Sequence, residues 1–209
     1  MSLPIIIFFN TLYMLNWDDA FAGGKKFTVI NEIFLDTLLE DLLLIRKGKK
    51  IKNALDIGCG AGDFAIKIAK KNIRVTGIDF SKVAIQMAKD FAKINKVSQK
   101  TDFIEFNIED LAELPLKKMY DLITCKLVVA FIKNKKVFLA EVYNRLNPDG
   151  VFILMTPIIV EGASNHLKAI SVSREEIEKL LKNQFKSFIM YHTRYFEDRG
   201  VELTYILKK

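Results

Sequence analysis

The stretch Asn53-Ala-Leu-Asp-Ile-Gly-Cys-Gly-Ala-Gly62 constrains this chain more than any other, because an apolar strand runs directly into three glycines spaced G-x-G-x-G. Without a Cβ, Gly58, Gly60 and Gly62 can take positive φ and let the backbone approach a ligand where the next helix begins. A strand, a glycine turn and a helix in that order predict a nucleotide-type ligand on an α/β fold. The dinucleotide fingerprint G-x-G-x-x-G would need glycine at position 63, which is Asp63. A carboxylate at the helix start repels a pyrophosphate, so the loop suits a ligand without phosphates. Some twenty residues beyond Asp56, a second apolar strand, Ile73-Arg-Val-Thr-Gly-Ile-Asp-Phe80, ends in Asp79, placed to accept hydrogen bonds from two ribose hydroxyls.

These residues resemble the class I S-adenosylmethionine-dependent methyltransferases, over about two thirds of the chain from Asn53 to Pro157. Leu55-Asp-Ile-Gly-Cys-Gly-Ala-Gly62 resembles the family's first motif, in which the glycine loop lies under the methionine part of the cofactor. Asp56, Gly58, Cys59, Gly60 and Gly62 are thereby implied to border it. Gly77-Ile-Asp-Phe-Ser81 resembles the second motif and implies Asp79 on the ribose and Phe80 against the adenine. Phe106-Asn-Ile-Glu-Asp-Leu111 lies where the family contacts the adenine edge, which implies Asn107 and Ile108 there. Asn107 replaces the more usual Asp, and its carbonyl oxygen can still accept a bond from the adenine amino group. Tyr120-Asp-Leu-Ile-Thr-Cys125 resembles the fourth strand, and Leu146-Asn-Pro-Asp-Gly-Val-Phe-Ile-Leu154 the turn and fifth strand.

With 209 residues, 50% of them hydrophobic, the chain can bury a full core and is expected to form a single domain. Its parts are expected to be a helical cover over 1–45, a cofactor-binding core over 53–157, and a helix and hairpin over 158–209. Two cysteines without close metal-ligand spacing predict neither a disulfide framework nor a zinc site, and point to a reducing compartment, here the cytoplasm. The net charge of +7 comes from lysines scattered along the helices, which reads as a solvated surface, so no nucleic-acid partner is expected.

Leu3 to Leu15 is mostly apolar and Ala20-Phe-Ala22 has the form of a signal cleavage site. No Lys or Arg precedes the run, Asn10 interrupts it, and Trp17-Asp-Asp19 lies just before the supposed cut, so neither secretion nor a membrane span is expected. Residues 4–45 are instead expected to form two apolar helices that close over the cofactor, with Trp17 and Phe21 near the substrate mouth, or else simply to cover the sheet.

Strand and helix alternate through the rest, the signal for a mostly parallel sheet flanked on both faces. Ser81 caps a predicted helix to about Asn95, with Val83, Ala84, Met87, Ala88 and Phe91 inward. A second helix runs from Lys135 to Leu146, with Val137, Phe138, Val142 and Leu146 inward, and Pro148-Asp-Gly150 follows it. Ser173 with Glu176 forms a capping box for a third, to Lys182. Strands near Phe188–Phe196 and Val201–Leu207, separated by Glu197-Asp-Arg-Gly200, read as a hairpin. The fold expected is therefore α/β, a Rossmann-like, seven-stranded, mostly parallel sheet with an antiparallel C-terminal hairpin. Gly58, Asp79, Asn107 and Cys125 all end predicted strands, and ligands in open α/β sheets lie beyond those carboxyl ends, so the four should converge.

The resemblance implies in-line methyl transfer from S-adenosylmethionine to a nucleophile. Little chain is left over beyond the core, which favours a small-molecule acceptor. A nucleophile of high pKa needs a general base, for which His166, His192 and Glu161 are the candidates. Attack by Cys59 or Cys125 on a pyrimidine is disfavoured, since Thr124-Cys125 finishes a strand and Cys59 lies inside the glycine loop. Lys126-Leu-Val-Val129 stands where amino-methylating enzymes carry Asn/Asp-Pro-Pro-aromatic, which disfavours nucleobase amines. Two alternatives stay open, a non-catalytic S-adenosylmethionine-binding sensor or partner-binding protein, and an NAD-type oxidoreductase.

Overall fold

The computed structural model describes residues 16–24, 30–115, 119–185, 187–195 and 201–209. Among the described residues two helices come first, α1 (Trp17–Ala22) and α2 (Glu32–Ile45). Next come β1 (Asn53–Ile57), α3 (Asp63–Lys70), β2 (Arg74–Asp79), α4 (Lys82–Ile94), β3 (Thr101–Glu105), β4 (Tyr120–Lys126) and α5 (Lys135–Asn144). The chain ends with β5 (Leu146–Ile158), α6 (Asn165–Ile170), α7 (Arg174–Gln184), β6 (Phe188–Tyr195) and β7 (Val201–Lys208). Of the N-terminal cover, residues 1–15 and 25–29 lie outside the described residues, as does the predicted hairpin turn at 197–200.

One seven-stranded sheet has the order β3-β2-β1-β4-β5-β7-β6. The first five strands pair in parallel, whereas β7 runs antiparallel to β5 and to β6. Apolar layers cover both faces, which is why the parallel strands read as unbroken hydrophobic runs rather than as alternation. On one face Leu55, Ile57, Ile123, Phe152 and Leu154 pack against Phe138, Leu139 and Val142 of α5 and Ile177 and Leu181 of α7. On the other, Ala54, Val75, Leu122 and Ile153 meet Leu35, Leu38 and Leu42 of α2, Ile68 of α3 and Ala88 of α4. The β1–β2 step and the β1–β4 step thus place the ligand edge between two helical layers, as doubly wound sheets do.

Three sequence expectations shift in detail. Ser81 caps α4 as predicted, accepting from the Ala84 amide at 3.1 Å, but the helix buries Ala84, Ile85, Ala88 and Ala92. Val83 and Met87 are only half-buried and Phe91 is 41% exposed. A face of small residues lets the helix approach the sheet closely and moves the bulkier side chains to its flanks. In α5, Leu139 is buried where Val137 is exposed, and Leu146, although buried, already belongs to β5. The helix ends at Asn144, before Pro148, and Asp149 turns the chain with φ 64°. Ser173 caps α7, whose Glu176 amide donates to its Oγ at 3.4 Å.

A side chain with no motif around it fastens the opposite, amino-terminal edge of the sheet. Arg46, buried at the end of α2, donates to the backbone oxygens of Lys49, Asp121 and Asp149 and to the Asp121 carboxylate at 3.0 Å.

Candidate functional site

Parallel strands deliver their carboxyl ends to one edge, and there the predicted residues meet. Gly58 directly follows β1, Asp79 closes β2, Asn107 lies just past β3, and Cys125 is the penultimate residue of β4. Register explains one contact outright. Asp56 and Thr124 are partners across β1 and β4, so their side chains share a face and the Thr124 hydroxyl donates to Asp56 Oδ1 at 2.7 Å.

The glycine loop folds back onto the end of β2. The amides of Gly58 and Cys59 donate to the Ile78 carbonyl at 2.8 and 3.0 Å, and the Gly62 amide donates to the Cys59 carbonyl at 3.0 Å. The Gly60 amide donates to Asp79 Oδ2 at 2.9 Å, while the Ser81 amide donates to Asp79 Oδ1 at 2.9 Å. Four loop amides are therefore committed inside the protein, whereas a pyrophosphate site requires amides aimed outward. Asp63, in the first turn of α3, adds a carboxylate there, paired with Lys67 at 3.1 Å. Both facts oppose the NAD-type alternative.

Gly58, Gly60 and Gly62 all have positive φ, at 68°, 52° and 82°. Close approach, as much as conformation, demands glycine here. A Cβ on Gly58 would stand 2.3 Å from Val128 Cγ2, and one on Gly60 would stand 3.1 Å from Phe21 Cζ. Phe21 is buried on the loop, and Trp17 lies edge-on to Phe131 with ring centroids 5.6 Å apart. Helix α1 thus reaches the glycine loop through Phe21.

Electrostatically the site is acidic within a basic protein. Burial pushes Asp56 up to about 7, and Oδ2 of this buried carboxylate has no hydrogen-bond partner among the described residues. Asp79 is raised too, first by burial, against the opposing bonds from Ser81 and Gly60. Two buried carboxylates, one with an unsatisfied oxygen, fit a cationic ligand rather than an anionic one. Burial also raises the thiols of Cys59 and Cys125, so neither is poised as a nucleophile.

Phe80, 52% exposed, and the half-buried Ile108 offer apolar surface near the ends of β2 and β3. Asn107 is exposed, but its carbonyl oxygen already accepts from the Glu109 amide at 3.1 Å and its nitrogen donates to Asp110 at 3.1 Å. It caps the turn Ile108–Glu113, and one lone pair of its oxygen remains for a ligand.

Of the three base candidates, the side chains of His192 and Glu161 are described. His192 is exposed on β6, separated from β4 by β5 and β7. Glu161 is exposed just after β5, and the side chain of His166 lies outside the described residues. A cleft of about 450 Å³ opens instead between the turn after β4, the segment after β5 and the start of α7, lined by Ala130, Lys135, Ile159, Val172, Glu176 and Leu180 among others. No motif pointed to it. Its residues come from four separate stretches of chain, and only their shared position past the ends of β4 and β5 reveals it. Among the described residues no helix is long and apolar enough to cross a membrane.

Comparison with known proteins agrees with this fold. Residues 48–198 match a family model described as a methyltransferase domain. The mitochondrial ubiquinone biosynthesis O-methyltransferase of Schizosaccharomyces pombe is 28% identical over 96% of this chain and 76% of its own length. The ubiquinone biosynthesis O-methyltransferase of Rickettsia canadensis is 31% identical over 68% of this chain, which spans 58% of that relative. Among solved structures, the plantazolicin methyltransferase BamL, in complex with a triazolic desmethylPZN analog and SAH, superposes with a TM-score of 0.68 at 19% identity, over 85% of this chain and 84% of that one. At that identity the likeness speaks for the fold.

Proposed function

The chain belongs to the class I S-adenosylmethionine-dependent methyltransferases, and from that membership we propose that it methylates an oxygen nucleophile of a small, largely apolar acceptor. The observation that carries the reading is Asp79, set at the end of β2 by the Gly60 and Ser81 amides, with lone pairs left for ribose hydroxyls. S-adenosylmethionine supplies an activated methyl group on a sulfonium, so an acceptor oxygen that bonds to the methyl carbon displaces the sulfur, which keeps the electron pair of the broken bond. In this reading Gly58, Cys59, Gly60 and Gly62 lie under the methionine part, Asp56 offers its free oxygen to the ammonium side, and Phe80, Asn107 and Ile108 border the adenine. Cys125 contributes buried wall rather than chemistry.

Oxygen as the acceptor atom is favoured by relatives named as O-methyltransferases, and those names also favour catalysis over the sensing alternative. The cleft beside β4 and β5 suits the acceptor, because Ala130 on its wall is two residues from Val128, which packs on Gly58. A hydroxyl must lose its proton during transfer, and Glu176, in the cleft, and Glu161, on the segment after β5, are the carboxylates at hand. Positioning of the two reactants supplies much of the rate.

The test is methyl transfer from radiolabelled S-adenosylmethionine to a panel of phenols and catechols bearing apolar substituents, set beside thiols, amines and carboxylates. Label in an aryl methyl ether supports the reading. Label only in a thioether or an amine would overturn its oxygen assignment.

A further inference from the structure

Asp18, Phe21 and Trp17 of helix α1 each make a contact with the core that borders the candidate site. Asp18 accepts from the Ser81 hydroxyl at 2.5 Å and from the Val83 amide at 3.2 Å. Phe21 lies on Gly60 of the glycine loop. Trp17 meets the edge of Phe131, which closes the turn after β4. A helix of six residues is too short to hold its own shape in water, so these contacts fix where it sits.

Ser81 is the joint between the covering helix and the ligand edge. Its amide donates to Asp79, its hydroxyl donates to Asp18, and the same oxygen accepts from the Ala84 amide. One serine therefore links the carboxylate assigned to the ribose with a carboxylate from the cover. Asp18 also lies at the amino end of α4, where a negative charge is favoured by the helix dipole. Being charged and directional, this contact holds α1 in one orientation, which the apolar contacts of Trp17 and Phe21 alone do not.

We propose that Asp18 is a positioning residue for the cofactor: by bridging Ser81 and Val83 it holds α1 with Phe21 over the glycine loop, and so sets how long S-adenosylmethionine stays bound. The proposal rests on the cofactor reading above.

Trp17 is the chain's single tryptophan, so its emission reports on α1 directly. Calorimetry of the wild-type protein with S-adenosylmethionine comes first, and no binding there would remove the cofactor reading and this proposal with it. Given binding, stopped-flow Trp17 fluorescence should show dissociation about tenfold faster in Asp18→Ala with little change in association. Asp18→Asn should restore slow release, because its amide oxygen can accept both bonds. Ser81→Ala removes the bond from the other partner, and the double variant should release no faster than the quicker single one. Unchanged release in Asp18→Ala, equal release in the Asn and Ala variants, or simple additivity with Ser81→Ala would each overturn the proposal, even if melting temperatures fall.

Discussion

The Gly60 amide donates to Asp79 Oδ2 at 2.9 Å, so the glycine loop and the end of β2 are tied through the carboxylate assigned to the ribose. Asp79 is thus a structural acceptor before it is a ligand contact. Asp79→Asn must turn its NH2 toward either the Gly60 or the Ser81 amide, leaving two donors face to face. With no ligand added, we expect this change alone to cost about 1–3 kcal/mol in urea unfolding.

Gly58 tests the close approach. Alanine there must adopt φ 68° and place its Cβ 2.3 Å from Val128 Cγ2. Gly58→Ala should destabilise the protein by about 1–3 kcal/mol. Adding Val128→Ala should recover the steric part but not the backbone part, a non-additivity readable in the same unfolding experiment.

Asp56 gives stability a pH dependence of defined sign. Burial raises its folded pKa to about 7 from the ordinary carboxylate value of 3.8, so between those values the folded protein binds more protons than the unfolded chain. Stability should therefore fall as pH rises through that window, and Asp79, also raised, acts in the same direction. Asp149, held down to about 2 by Lys49 and Lys208, works oppositely and only below the ordinary carboxylate range. Asp56→Asn should flatten the decline between about pH 4 and 7, because Asn keeps an oxygen for Thr124. Melting temperature against pH, for both proteins, checks this.

The same carboxylate links cofactor affinity to pH. A cationic ligand prefers Asp56 ionised, so affinity for S-adenosylmethionine should rise between about pH 6 and 8. For S-adenosylhomocysteine, which lacks the sulfonium charge, the rise should be shallower. Titrations of both across that range measure the difference, and because both ligands carry the ammonium assigned to Asp56, both rises should flatten in Asp56→Asn.

Arg46 separates fold from function. Losing the bonds from buried Arg46 to the half-buried Asp121 should cost about 1.5–3 kcal/mol while leaving cofactor affinity unchanged, since the pair sits at the opposite edge of the sheet. Arg46→Lys should recover little, because lysine cannot reproduce the fork that reaches Asp121 and three backbone oxygens.

Contacts local in sequence were legible, and contacts between distant segments were not. Apolar runs and the capping residues Ser81 and Ser173 place β2 and the starts of α4 and α7 to within a residue or two, whereas β5 runs on to Ile158, beyond the Leu154 read from the sequence. A seven-stranded, mostly parallel sheet with an antiparallel C-terminal hairpin follows from the alternation, the family resemblance and the final turn, whereas the order β3-β2-β1-β4-β5-β7-β6 is seen only in the structure. The bond from Ser81 to Asp18 spans 63 positions and that from Arg46 to Asp121 spans 75, and no spacing rule announces either. Helix faces were misjudged where size mattered more than polarity, since Ala92 is buried in α4 while Phe91 stays at the surface. The position of Asn107 in the sequence suggests a ligand contact, and only the fold shows its side chain also capping the turn that follows.

The most direct test is calorimetric titration of the wild-type protein and of Asp79→Ala with S-adenosylmethionine and with NADH. The account predicts micromolar S-adenosylmethionine binding to the wild-type protein, at least tenfold weaker in the variant, and no binding of NADH. Binding of NADH, or undiminished S-adenosylmethionine binding to Asp79→Ala, would contradict it.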